Sequence, residues 1–134
     1  MSIMIWNDSL SVGINSIDEQ HKNIVNMLNS LHDSLEQGSV ETVLKKIFDG
    51  LAIYTVKHFA YEEDLFEEFA YTGTAAHIAE HDRLINQVME LKERMENGDD
   101  KISHEVLEFL RDWLLHHIMQ TDMAYADELK SKGL

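Results

Sequence analysis

Apolar residues recur at three- and four-residue spacing in four blocks of this chain, and each block predicts an amphipathic helix. The first carries Ile17, His21, Ile24, Leu28, Leu31 and Leu35. Gly38 then offers a stop, and Ser39 a cap for the second block. That block runs through Leu44, Ile47, Leu51, Tyr54, His58 and Glu62 until Thr72-Gly73-Thr74 interrupts it. The third has His77, His81, Leu84, Val88, Leu91 and Met95. Asn97-Gly98-Asp99-Asp100 reads as a turn leading into an N-cap. The fourth has Ile102, Val106, Phe109, Trp113, His117 and Ala124. Residues before Ser16 show no period and predict an extended arm along the bundle, anchored by Trp6. Short loops between four amphipathic helices predict an all-α, antiparallel up-down-up-down four-helix bundle. At 134 residues, 1–134 reads as a single domain.

The polar exceptions on the apolar faces carry the chemistry. In an antiparallel hairpin, residues equidistant from the turn lie at one height. His21 and the His58/Glu62 pair are nearly symmetric about Gly38-Ser39. His58/Glu62 and His77/His81 are symmetric about Ala70-Tyr71, and His77/His81 and His117/Asp122 about Gly98-Asp99. Five histidines and two carboxylates therefore meet in one layer. Residues four apart share a helix face, which suits His58 with Glu62 and His77 with His81. Asp122 is five residues from His117, about 140° around an α-helix. That offset is poor for two ligands on one ion and suits a carboxylate reaching towards a second.

One histidine on an apolar face is ordinarily a hydrogen-bonded core residue, but five in one layer cannot satisfy one another without metal. Imidazole with carboxylate suits iron, zinc, copper or nickel, and seven ligands exceed the four of a structural zinc site. Two ions bridged by carboxylates fit the number. The Glu-x-x-His pairs of ferritin-like di-iron bundles and the His-Glu-x-x-His pattern of zinc proteases are missing around these histidines. His32 and His104 lie outside the layer and read as surface residues. His116 points about 100° away from His117 and is expected to support the layer or face solvent. Glu63 reads as part of an acidic face able to support a ligand.

Composition narrows the function classes. A net charge of −14 disfavours nucleic acid and anionic membranes as partners. Absence of cysteine excludes disulfides and thiolate chemistry, and absence of proline suits long helices. No segment approaches a membrane span, and the first residues do not form a signal peptide, so the expected location is cytoplasmic.

These motifs resemble the hemerythrin family, specifically its bacterial branch. Asp18-Glu-Gln-His-Lys22, His58-Phe59-x-x-Glu62-Glu63, His77-x-x-x-His81 and Trp113-x-x-x-His117-Ile118-x-x-x-Asp122 are similar to the family's four helix motifs. Trp6 and Val12-Gly13-x-x-x-Ile17-Asp18 extend the likeness towards the N-terminus. The resemblance implies two iron ions (Fe2+/Fe3+) with a bridging oxo or hydroxo group, binding O2 reversibly for storage, transport or delivery. It implies His77, His81 and His117 on one iron, His21 and His58 on the other, and Glu62 and Asp122 bridging. The iron held by two histidines would keep the open position. Such a site needs a dry pocket, for which Phe59, Trp113, Leu114 and Ile118 are the expected lining. No catalytic residue is expected. Nitric oxide or small anions are alternative ligands, and an oxygen-using enzyme is one candidate recipient. The competing readings are a sensor of O2, redox state or nitric oxide, and a di-iron peroxidase or oxidase.

Overall fold

A computed structural model describes residues 3–98 and 101–134. Four rods form the bundle: α1 (Asn15–Glu36), α2 (Glu41–Phe69), α3 (Thr74–Glu96) and a composite fourth. The fourth consists of α4 (His104–His116), a π-helical stretch (His117–Asp122) and α5 (Met123–Ser131). α1 packs on α2 and α4, and α2 on α3, the neighbour pattern of an antiparallel bundle. The expected all-α architecture is the one observed.

The apolar stripes of the first three helices face inward as their periods predict. Ile17, Ile24, Leu28 and Leu31 of α1 and Leu44, Phe48, Leu51 and Phe66 of α2 join one core with Met95 of α3. On the fourth rod the prediction fails by part of a turn. Phe109 is 41% exposed and Ala124 faces solvent, while Leu107, Leu114, Tyr125, Ala126 and Leu129 are buried. The π-helical stretch explains the later half of this error. It adds a residue to one turn, with the Met123 N–H bonding back to the Ile118 carbonyl, and so shifts the α-helical period after Asp122.

Helix ends also depart from expectation in two places. Ser39 does not cap α2; Val40 holds that position without a side-chain cap. The Ser39 N–H instead closes α1 on the Ser34 carbonyl at 3.0 Å, with Gly38 left-handed at φ 75°. α2 ends before the Thr72-Gly73-Thr74 break, at Ala70, which takes φ 52°. The Tyr71 N–H reaches back to the Phe66 carbonyl at 2.9 Å, completing the closure. That turn is braced by the fourth rod, where Glu128 accepts from the Thr72 N–H at 2.8 Å. Ser103 caps α4, accepting from the Val106 N–H at 3.3 Å; the Asp99-Asp100 part of the expected turn lies outside the described residues.

The N-terminal arm packs as predicted, with one 3₁₀ turn at Asp8–Leu10. Asn29 of α1 both donates to the Met4 carbonyl at 2.8 Å and accepts from its N–H at 3.1 Å. Asp18 accepts from the Val12 N–H at 2.9 Å and the Ser11 hydroxyl at 2.6 Å. Trp6 packs on the core, with the Lys22 ammonium 5.5 Å from its ring centre. No helix among the described residues is long and apolar enough to cross a membrane.

Candidate metal centre

All seven predicted side chains meet in the core, none more than 3% exposed. α1 contributes His21, α2 contributes His58 and Glu62, and α3 contributes His77 and His81. The fourth rod contributes His117 and Asp122 at the two ends of its π-helical stretch. Asp122 departs from the expected 140° offset. Bonding between residues five apart stacks Asp122 over His117, and the Nε2–Oδ1 distance is 3.0 Å.

The donors sort into two overlapping sets. Glu62, His77, His81 and His117 form one, and His21, His58, Glu62 and Asp122 the other. Glu62 Oε1 lies 3.2 Å from both His58 Nε2 and His81 Nε2, so one oxygen faces both sets. Asp122 divides its oxygens. Oδ2 is 3.1 Å from His21 Nε2, while Oδ1 is 3.1 Å from His77 Nε2.

These contacts have hydrogen-bond length but lack hydrogen-bond direction. The Nε2 atoms of all five histidines and all four carboxylate oxygens have no hydrogen-bond partner. Buried polar atoms are rarely left so, and nine converging ones are the arrangement of a ligand set. Burial and Asp122 push the Glu62 carboxyl up, but the His58 and His81 imidazoles outweigh them and hold it down at about 2. Burial raises Asp122 too, and His117, His21 and His77 overcome it, leaving Asp122 well below the usual range. Burial lowers His81, while Glu62 and Glu63 raise it by more. Both carboxylates thus strongly prefer cationic company.

Outer hydrogen bonds orient two of the imidazoles. Gln20 Oε1 is 2.6 Å from His58 Nδ1. The amide oxygen accepts, so Nδ1 carries the hydrogen and the Nε2 lone pair faces the cluster. Glu63 Oε2 holds His81 Nδ1 at 3.0 Å, the supporting role foreseen for it. Glu80 Oε2 stands 3.5 Å from His117 Nδ1 without making a hydrogen bond to it. Gln20 and Glu80 were not singled out by the sequence, nor was Tyr125. The Tyr125 ring is wholly buried, 5.3 Å from the His77 ring. Burial, then Glu62 and Asp122, hold its phenol well above the ordinary value, so it stays neutral. Its only sequence signal is its place one turn after Asp122. His116 is exposed.

Aromatic rings wall the cluster. Phe59 stacks on His81 at 3.8 Å and Trp113 on His117 at 4.4 Å. An apolar cavity of about 320 Å³ lies among the four rods, with Trp113 and Leu114 in its wall. Its wall also includes the exposed Ile53, Val56 and Met89. Of the four residues expected to line a pocket, Trp113 and Leu114 line this cavity. Phe59 packs on the cluster itself, and Ile118 is wholly buried away from the cavity wall.

Known proteins share this arrangement of the chain. Residues 12–129 match the family described as the hemerythrin HHE cation binding domain. The chain is 41% identical over 134 residues to a bacteriohemerythrin of Stenotrophomonas maltophilia (strain R551-3), spanning 98% of this chain and 84% of that protein. It is 34% identical over 126 residues to a bacteriohemerythrin of Methylococcus capsulatus, spanning 93% and 95%. A crystal structure of wild-type hemerythrin superposes with a TM-score of 0.91 at 33% identity, over 96% of this chain and 98% of that one.

Proposed function

The chain belongs to the hemerythrin family, and we propose that it binds O2 reversibly at a pair of iron ions, as a storage, transport or delivery protein and not as an enzyme. In this reading His77, His81 and His117 hold one ion and His21 and His58 the other. Glu62 and Asp122 reach both, beside a solvent-derived oxo or hydroxo bridge. The observation that carries it is the convergence of nine unpartnered buried donor atoms in two sets that share Glu62. Two divalent ions bring about +4 and two carboxylates with one hydroxide remove about three, a balance compatible with a dry core.

When bound, the iron pair supplies the two electrons that O2 uptake consumes and release returns. The protein's own part is orientation and exclusion. Gln20 and Glu63 fix two imidazole rings so that their lone pairs face inward. Phe59, Trp113 and Ile118 keep water from the donors, which protects the ions from irreversible oxidation. The apolar cavity lined by Trp113 and Leu114 suits passage of a small neutral molecule. Tyr125 holds its proton and offers no base.

The test is an optical cycle on iron-loaded protein. Visible charge-transfer bands formed in air are expected to vanish under argon and return on reaeration through several rounds. One-way bleaching on first exposure would contradict a carrier.

A further inference from the structure

A second group of ligand-type side chains lies away from the core. His32 and Glu36 sit one turn apart in the last turns of α1, and His104 is the first residue of α4. His32 was expected on the surface, yet its side chain is only 13% exposed, beneath the exposed Glu36 and His104. Glu36 Oε1 stands 3.5 Å from His32 Nε2 and 3.4 Å from His104 Nε2. One donor atom from each of the three lies within 4.8 Å of the others. We propose that His32, Glu36 and His104 form a peripheral site for one borderline-soft divalent cation, of which Zn2+ is the type, separate from the iron pair.

The distances favour a shared ion over plain hydrogen bonds. An N–H···O bond spans about 2.7–3.2 Å, and both contacts to Glu36 are longer. Bonds of about 2.0–2.1 Å from zinc to nitrogen or oxygen set tetrahedral ligands about 3.3–3.4 Å apart. The two contacts on Glu36 already have close to that spacing. The remaining edge, between the two imidazoles, closes by rotating the exposed His104 ring, which now stands at 72° to His32. Two imidazoles and one carboxylate are the donor set this class of cation prefers, with solvent completing the shell.

The local field also calls for a cation. The last turn of α1 contains no basic residue, although a helix C-terminus favours positive charge. Asp33 adds a second carboxylate, 3.8 Å from His32 Nδ1. That nitrogen is buried without a hydrogen-bond partner. Eleven residues along α1, about 16 Å at 1.5 Å per residue, separate His32 from His21. A bound ion would therefore pin the end of α1 to the start of α4 without touching the central cluster.

Iron-loaded protein titrated with ZnCl2 in a calorimeter tests this, with the iron absorption recorded throughout. One Zn2+ per chain is expected, with affinity falling at least tenfold in both His32→Gln and His104→Gln, and iron bands unchanged. Cu2+ bound in place of Zn2+ should show two coupled nitrogens by electron paramagnetic resonance, and one in His104→Gln. Because His104 is exposed, that variant tests the ligand without disturbing the core. No Zn2+ uptake, equal affinity in the His104→Gln variant, or altered iron bands would overturn the proposal.

Discussion

Replacing Gln20 with alanine isolates one histidine's support from the rest of the cluster. Gln20 reaches from α1 to α2 and holds His58 Nδ1 at 2.6 Å. No other side chain makes a hydrogen bond with His58 among those described. Truncation frees the ring to rotate and to place its hydrogen on either nitrogen, so the inward lone pair is no longer preset. Loss of such a partner costs about 10–100-fold in metal affinity, or about 1.4–2.7 kcal/mol. The effect should be local. His81 is held by Glu63 and His117 faces Glu80, neither of which depends on Gln20. Anaerobic Co2+ titration of metal-free protein against a competing chelator resolves this. One of two binding steps should weaken by that factor and the other should hold within about threefold, while Gln20→Glu, which keeps an acceptor, restores most of the loss. Two unchanged steps, or two steps weakened equally, would refute the assignment of His58 to one ion through its Nε2.

Other outcomes follow from the same structure. Removing metal should lower the melting temperature by at least about 8 °C, since ligand present at a thousandfold its Kd contributes about 4 kcal/mol; equal melting of both forms in calorimetry would contradict it. In metal-free protein, Glu62 and Asp122 stabilise above their usual range and lose that as pH falls through their lowered values, about 2 for Glu62, while His81 stabilises fully below about 6.5 and loses that as pH rises through its raised value. Urea midpoints of the metal-free form should therefore peak between about pH 4.5 and 6.5, and a midpoint climbing steadily from pH 5 to 8 would oppose this. Ala70→Gly should stabilise by about 1 kcal/mol, because a left-handed backbone strains alanine and suits glycine; an unchanged urea midpoint would deny the strain. Leu114→Ala should widen the cavity beside Trp113 and speed loss of the O2-dependent bands, and an unchanged rate would remove Leu114 from the solvent barrier.

Much of the centre was legible because four of its seven side chains form i, i+4 pairs on regular helices. His58 with Glu62, and His77 with His81, need only the α-helical period and the hairpin symmetry to converge. Asp122 was placed on the right rod and at the right height, but its angle was wrong. No residue pattern between His117 and Asp122 announces bonding five residues apart; the cluster's own geometry reveals it. The same stretch displaced the predicted inward face from Ala124 to Tyr125 and Ala126. Gln20 is not legible in the sequence because it serves a histidine on another helix. Such partnerships depend on helix rotation, which spacing along one chain does not carry. His32 and His104 read as surface residues in the sequence for a related reason. His104 is distant in sequence, and only the packing of α1 against α4 brings it to the His32–Glu36 pair.

X-ray absorption at the iron edge, on protein whose iron content is measured in parallel, tests the account at its base. Two irons per chain are expected, with nitrogen-rich shells and a metal–metal vector of about 3.5–4 Å or less, as carboxylate-bridged pairs require. One iron per chain, or two without a metal–metal vector, would contradict a shared cage built from His21, His58, Glu62, His77, His81, His117 and Asp122.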